Sequence, residues 1–216
     1  GRHSQGLYAT RVDNMFLEQN IFDHNGWKVG EEGAEPTIFN HNIYIQANCS
    51  GIQVLDNIIS NASSHGVQMR SGGVVVGNFF YKNAINVLLG HEDYVTTGAV
   101  NSNVIMAGKD IGPGLPRGMG IHIQFTKDAK VRDNIILRNG TDAGQSEAIA
   151  IIGDSNDLVQ NLLIERNTIY NWRNNVVIEN DGLRNMTFRN NVVYDSQNES
   201  PAVRHWTTAT LDDVVA

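Results

Sequence analysis

The sequence predicts an all-β fold, a right-handed single-stranded parallel β-helix of about eight coils, and its repeats are the first evidence for this fold. Asparagine recurs every 21 to 37 residues in one shared frame. The frame is a polar residue, Asn, an apolar residue, an apolar or polar residue and a further apolar residue. The repeated residues are Asn20, Asn57, Asn78, Asn103, Asn134, Asn167 and Asn191. A repeat of this length is typical of solenoids, in which each unit buries its apolar face against its neighbours.

The apolar pattern within each repeat predicts strands. Apolar residues alternate with period two in short β-branched runs, which excludes a helical solenoid. A second short run precedes each Asn frame, so each coil is expected to contain at least two strands; these runs are GLYAT, NIYIQ, GVQMR, AINVL, GIHIQ, AIAII, NVVIE and AVRHW. We expect each Asn to form a tight turn, because its side chain bonds local backbone and tolerates left-handed geometry. Stacked amides would then form a ladder along the axis.

Length, charge and composition limit the other possibilities. The 216 residues are enough for one domain spanning 1–216. A net charge of −7 argues against a nucleic-acid partner, and no apolar run reaches the roughly 18 residues that membrane insertion requires. The single cysteine, Cys49, excludes an intramolecular disulfide. Neither end carries an obvious cap for open strand edges, so we expect a fragment of a longer chain with additional domains, or a homo-oligomer.

Alignment of the first strand of each coil indicates which side chains face outward, because successive residues of a strand point to opposite faces. The alignment places Ile43, Val67 and Ile85 in one inward row. The first outward row is predicted to hold Tyr8, Tyr44, Gln68, Asn86, His122 and Ala150, and the second Thr10, Gln46, Arg70, Leu88, Gln124 and Ile152. His41 and His65 directly precede two of these strands and should stack about 4.8 Å apart. A polar, aromatic and basic groove is therefore expected on coils two to five.

The side chains of this groove suit chemistry on an acidic sugar. Arg70 can bind a carboxylate in bidentate fashion and stabilise an enolate-like transition state. His41 and His65, beside each other and near an arginine, should be neutral and able to take the C5 proton. Tyr44 is expected to move a proton once a nearby positive charge lowers its pKa. These four are the predicted catalytic residues, and the predicted substrate-binding residues are Tyr8, Gln46, Gln68, Asn86, His122 and Gln124.

The coil repeat resembles the right-handed β-helix proteins of the pectate-lyase-like superfamily. Within that superfamily, the strand His65-Gly66-Val67 is similar to the His-Gly-aliphatic strands of mannuronan C5-epimerases and alginate lyases. The Asp-Pro-His motif of the epimerases is absent, and Asn42-Ile43-Tyr44-Ile45 stands nearest to its place. The resemblance implies a secreted or periplasmic enzyme that acts on a uronate-containing polysaccharide by β-elimination or C5-epimerisation, two outcomes that the sequence does not separate.

Two alternatives remain open. A glycoside hydrolase of the same fold would need two carboxylates, and the two outward rows hold none in coils one to six, with Glu179 only near the end. A carbohydrate-binding or structural β-helix without catalysis would need only the exposed polar face. No cofactor and no metal site are predicted, because Asp23-His24 and His91-Glu92-Asp93 lack a convincing ligand spacing. The weaker option of loop calcium rests on Glu31, Glu32 and Glu35.

Overall fold

The chain folds as a right-handed parallel β-helix, which confirms the predicted fold class. The computed structural model describes residues 3–112, 114–138, 146–153, 158–196, 200–206 and 214–215, and within these ranges strand is the only regular secondary structure. The same described residues contain no helix that is long and apolar enough to span a bilayer.

Twenty-three strands follow one another along the described chain. In chain order they are β1 (Gln5–Ala9), β2 (Phe16–Glu18), β3 (Ile21–Asp23), β4 (His41–Ile45), β5 (Gln53–Leu55), β6 (Ile58–Ser60), β7 (His65–Met69), β8 (Gly73–Val76), β9 (Phe79–Asn83), β10 (Ile85–Gly90), β11 (Gly98–Asn101), β12 (Val104–Gly108), β13 (Met119–Gln124), β14 (Lys130–Arg132), β15 (Ile135–Leu137), β16 (Glu147–Gly153), β17 (Val159–Glu165), β18 (Thr168–Tyr170), β19 (Asn174–Asn180), β20 (Leu183–Arg189), β21 (Val192–Tyr194), β22 (Val203–His205) and β23 (Val214–Val215).

Each full coil contributes one strand to each of three parallel sheets, one more strand than the minimum expected from the sequence. The first sheet has the order β1-β4-β7-β10-β13-β16-β19-β22, and the second has the order β2-β5-β8-β11-β14-β17-β20-β23. The third sheet has the order β21-β18-β15-β12-β9-β6-β3. Because equivalent strands of successive coils pair directly, a side chain lies beside its counterparts at a spacing of about 4.8 Å.

The core is a set of apolar files that run along the axis inside the three sheets. In the first sheet one file contains Ile43, Val67, Val87, Ile121 and Ile149, all fully buried. Each side chain packs on its equivalents in the coils before and after it, and this stacking gives close packing from repeated residues. The alternation that produced the prediction thus fixes one face of each strand against the core.

The predicted asparagine ladder forms at the corner between the second and third sheets. Six amide-to-amide hydrogen bonds of 2.9–3.1 Å connect the seven residues in chain order, from Asn20 through Asn57, Asn78, Asn103, Asn134 and Asn167 to Asn191. Each Nδ2 from Asn57 onward also donates to backbone carbonyls, as Asn57 does to Leu17 and Leu55. The ladder therefore satisfies backbone groups that the turn would otherwise leave unpaired.

The left-handed conformation lies one residue earlier than the sequence indicated. The residue before each ladder asparagine has a φ between 52° and 71°, and these residues are Gln19, Asp56, Gly77, Ser102, Asp133, Arg166 and Asn190. One left-handed residue bends the chain sharply, and the following Asn then points its amide into the corner. The prediction that the Asn itself adopts left-handed geometry was wrong, because the two roles fall on adjacent positions.

Asn86 is not part of the outward row, and this corrects one predicted substrate-binding residue. β10 pairs with β7 through Leu88 beside Gln68 and Ile85 beside His65. The predicted register had placed Asn86 beside Gln68, which differs by two residues. Asn86 is fully buried at the corner between the third and first sheets, where its Nδ2 donates to the carbonyls of Ala107 and Met119. A slip of two residues leaves the in-and-out alternation unchanged, so the pattern of the sequence did not expose the error.

Candidate functional site

A cavity of about 570 Å³ lies on the outer face of the first sheet. Its lining brings together all four predicted catalytic residues and three of the predicted substrate-binding residues, namely His41, Tyr44, His65, Gln68, Arg70, His122 and Gln124. These side chains come from β4, from β7 and the residue after it, and from β13. The period-two alternation places Tyr44, Gln68, Arg70, His122 and Gln124 on this surface. His41 and His65 join them from the first residues of β4 and β7, outside that alternation.

His41 and His65 are direct neighbours in adjacent coils. Their Nδ1 atoms are 3.0 Å apart, and the Ser64 hydroxyl lies 2.8 Å from Nδ1 of His65. A hydrogen bond between two Nδ1 atoms requires that one ring carries its proton on Nδ1 and that the other offers a lone pair there. Both residues are about 95% buried, and Nε2 of His65 has no hydrogen-bond partner among the residues that the structure describes.

The surroundings keep the cavity histidines neutral. Burial, followed by the Arg70 charge, lowers the pKa of His41 to about 4. Burial and the neighbouring His41 lower the pKa of His65 well below its usual 6.5, and burial lowers the pKa of His122 to about 4. At neutral pH all three rings are therefore neutral, and each has one unprotonated nitrogen.

Arg70 and Tyr44 are the other two predicted catalytic residues of the cavity, and they contact each other. The guanidinium carbon of Arg70 lies 5.4 Å from the centre of the Tyr44 ring, within the range of a cation–π contact. Nη2 of Arg70 is 3.4 Å from Oε1 of Glu92, a carboxylate whose side chain is 65% exposed. The Arg70 side chain keeps 23% of its surface exposed, so a second carboxylate can reach it from the cavity.

Burial raises the pKa of Tyr44 and outweighs the opposing effect of Arg70. Arg70 acts in the expected direction, but the predicted net lowering of this pKa was wrong because burial has the larger effect. The phenol is therefore protonated at neutral pH, which suits a group that donates a proton rather than one that takes it.

Tyr8 and Gln46 share the outer face of the first sheet but do not line the cavity. Tyr8 is 51% exposed and its ring centre lies 5.5 Å from that of Tyr44. Nε2 of Gln46 is 3.4 Å from the Tyr8 hydroxyl. The two residues extend the polar surface beyond the cavity, toward the first coil.

The alignment of strands missed several lining residues. Arg117, in the loop before β13, brings a second cation, and its backbone N–H donates to Oδ1 of Asp110 at 2.8 Å. Ile85, Leu88 and Met119 form an apolar part of the lining. The prediction that Ile85 points inward was wrong; Leu88 had been placed in an outward row, and Met119 had not been placed. The loop residues carried no repeat signal, whereas the apolar residues would have been found with the correct register of β10.

The acidic loop considered for calcium offers separate contacts instead of one cluster. Oε2 of Glu31 binds Nζ of Lys28 at 2.7 Å, and Oε1 of Glu35 accepts from the backbone N–H of Gly33. Over the part of the chain that the structure describes, no group of three or more His, Cys, Asp or Glu residues is arranged to hold a metal ion.

The depressed histidine pKa values make the stability of the fold depend on pH. For His122 the pKa is about 4 in the folded chain and 6.5 in the unfolded chain. Between these two pH values the unfolded chain therefore binds more protons than the folded chain. We expect the free energy of unfolding to fall as the pH falls through this window. His122→Gln should remove up to about 3 kcal/mol of that loss, measured by chemical denaturation at both ends of the window.

The control for this experiment is the same substitution at His24, whose ring is already exposed in the folded chain. Glu147 has the opposite effect on the free energy of unfolding. Burial raises its pKa to about 7, so the folded chain binds more protons at this group than the unfolded chain as the pH falls. Each variant is therefore compared with the unmodified protein at the same pH. An equal pH dependence for His122→Gln and the unmodified protein would contradict the assignment of a buried neutral ring.

No protein-family model, curated protein sequence or solved structure matches the chain. The resemblance to the pectate-lyase-like superfamily stays a prediction from the coil repeat and from the strand His65-Gly66-Val67.

Proposed function

We propose that the protein acts on an acidic, uronate-containing polysaccharide by β-elimination or by epimerisation at C5. The observation that supports this proposal is the joint presence, in one cavity, of a neutral histidine pair, a protonated tyrosine and a partly exposed arginine. These are the base, the acid and the charge-stabilising group that removal of a proton next to a carboxylate requires.

Arg70 binds the substrate carboxylate. Proton removal from C5 moves negative charge onto the carboxylate oxygens, and a guanidinium can donate two parallel hydrogen bonds to them. Glu92 already shows that a carboxylate can approach this side chain, at 3.4 Å. Stabilisation of the charged intermediate by a preorganised donor is commonly the largest catalytic contribution of this type of site.

The histidine pair supplies the base. In the tautomer in which His41 donates its Nδ1–H to Nδ1 of His65, the lone pair on Nε2 of His41 is free to take the C5 proton. His65 then fixes the orientation of the catalytic ring, and Ser64 contacts its Nδ1 at 2.8 Å. A low pKa limits the strength of the base but keeps it unprotonated over a wide pH range.

Tyr44 supplies the proton that completes either reaction. Given to the leaving oxygen, the phenolic proton completes elimination and leaves an unsaturated uronate. Given to C5 on the opposite face, the same proton completes epimerisation. The ring centre of Tyr44 lies 5.1 Å from that of His41, so acid and base lie close enough to act on one sugar unit.

Hydrolysis is less well supported by the same cavity. An acid and base pair for glycoside hydrolysis requires two carboxyl groups about 5 to 9.5 Å apart. Among the described residues that line the cavity, Glu92 is the single carboxylate, and it binds Arg70. Glu147, with its raised pKa, is buried in the first sheet outside that lining.

The test is a panel of acidic polysaccharides in D₂O. Elimination should produce the ultraviolet absorbance of an unsaturated uronate, and epimerisation should incorporate deuterium at C5 without chain cleavage, which NMR detects. Tyr44→Phe should lose the product and keep a residual exchange at C5, because proton removal does not require the phenol. Absence of both signals on every uronate polymer would refute the proposal and favour a binding function for the cavity.

A further inference from the structure

The outer face of the third sheet is apolar along its whole described length. Its outward side chains form two files of seven residues, one from Ile21 to Val192 and the other from Asp23 to Tyr194. The members that are neither apolar nor aromatic are Asp23, Ser60 and Thr168. Asp23, at one end of the sheet, is the single charged member of these described files.

This face differs from the outer face of the second sheet, which holds charged residues such as Glu18, Lys130 and Arg189. A sheet face that stays in contact with water is normally polar. With so little charge, the third sheet offers no electrostatic attraction for a polyanion or a strongly charged protein. An apolar protein surface is therefore the partner that it fits.

The exposed area is sufficient for a protein interface. Seven large side chains of the two files are between 36% exposed, as at Phe79, and 72% exposed, as at Ile21. A large side chain has about 150 to 250 Å² of surface, so these seven expose roughly 500 to 900 Å². A standard protein interface buries about 800 Å² of each partner. The face therefore matches one side of a stable dimer.

The shape of the face limits the partner further. Between the second and third sheets every coil turns through two residues, such as Gln19 and Asn20, so the ladder edge of the face is even from coil to coil. A flat apolar sheet packs well on another flat sheet, at a distance of about 10 Å and with the strands nearly aligned. A second copy of the chain presents such a sheet.

The few polar groups of the face match when the second copy lies antiparallel to the first. A two-fold axis along β12, the fourth of the seven strands, places the first strand of one copy opposite the last strand of the other. Asp23 then meets Tyr194, which is 67% exposed and can donate its hydroxyl proton. At the ladder corner Asp56 meets Arg166, which still exposes 47% of its side chain although it binds two carboxylates of its own chain.

We propose that two copies of the chain form a symmetric dimer through the outer faces of their third sheets, with the two solenoid axes antiparallel. Val104 and Met106 of β12 lie at the two-fold axis, and each meets its own counterpart, as this symmetry requires. The cavity lies on the first sheet of each copy, a different face of the solenoid. The dimer therefore does not depend on the proposed function.

Sedimentation velocity of the unmodified protein over a series of concentrations tests the dimer. Interfaces of this size have dissociation constants of about 1 μM or lower, so a dimer is expected at about 100 μM. Val104→Lys brings two ammonium groups together at the axis, and their repulsion should raise the dissociation constant about a hundredfold or more. Val74→Lys, at an outward position of the second sheet, is the control and should leave it unchanged. Circular dichroism checks the fold of both variants.

Cross-linking with a short bismaleimide tests the orientation without a charged variant. Val104→Cys should cross-link to its counterpart, whereas Ile58→Cys lies four strand spacings, about 19 Å along the axis, from its counterpart and should not. The unmodified protein, whose Cys49 is buried, gives the background. A monomer at every concentration, or a dimer that Val104→Lys does not weaken, would overturn the inference. Cross-linking of Ile58→Cys as efficient as that of Val104→Cys would overturn it as well.

Discussion

Replacement of Arg70 by alanine is expected to lower kcat/KM for a uronate polymer about a hundredfold or more. The loss corresponds to about 3 kcal/mol of transition-state stabilisation, the usual effect of removing one charged donor from a developing oxyanion. Tyr44 and the histidine pair would stay in place, because Arg70 lies outside the core. Steady-state kinetics of the purified variant measure the effect.

Two further variants make this test specific. Arg70→Lys keeps the positive charge but loses the bidentate geometry, so its activity should lie between those of the alanine variant and the unmodified protein. Arg184→Ala removes an exposed arginine of the second sheet and should leave the rate unchanged. Full activity of Arg70→Ala on a polymer that the unmodified protein cleaves would show that another group binds the carboxylate.

The second large expected effect is a loss of stability when the asparagine ladder is interrupted. Asn103 is 1% exposed; its Nδ2 donates to the Val75 and Asn101 carbonyls and to Asn134, and its Oδ1 accepts two bonds from Asn78. Asn103→Ala leaves several of these buried groups unpaired. We expect the free energy of unfolding to fall by about 3 kcal/mol, since one unsatisfied buried group costs about 1 to 3 kcal/mol. Chemical denaturation followed by circular dichroism measures the change.

Asn103→Asp separates the acceptor role of the Asn103 side chain from its donor role. Aspartate retains an acceptor for Asn78 but offers no donor, and it buries a charge, so it should destabilise the fold at least as much as alanine at neutral pH. Lys130→Ala, an exposed residue of β14, is the control and should change stability by less than about 0.5 kcal/mol. Equal stability of Asn103→Ala and Lys130→Ala would show that the ladder bonds do not stabilise the fold.

The fold was predictable because one pattern occurs in every coil. A single Asn frame is weak evidence, but seven frames with a strand on each side are compatible with few architectures. The same alternation predicted the side of the sheet on which Tyr44, Gln68 and Arg70 lie. Strand pairing then brought His41 beside His65, with ring centres 4.9 Å apart, close to the spacing of neighbouring strands.

The parts that could not be predicted have identifiable causes. The register of β10 was uncertain by two residues because alternation alone does not distinguish the two alignments, and Asn86 was misplaced for that reason. The loop residues Arg117 and Glu92 have no counterparts in other coils, so no repeat indicated their position. The direction of the Tyr44 pKa shift depends on burial by neighbouring coils, which the sequence of one strand does not reveal.

The ladder also gives the solenoid a direction. In all six side-chain bonds the Asn nearer the N terminus donates and the next Asn accepts, from Asn20 to Asn57 and so on to Asn167 and Asn191. The amide dipoles therefore add along the axis, as peptide dipoles do in a helix. The two ends of the ladder differ chemically, because one ends in a carbonyl oxygen and the other in an amide nitrogen. A further coil, or a second solenoid stacked end to end, can continue the ladder only with the same polarity.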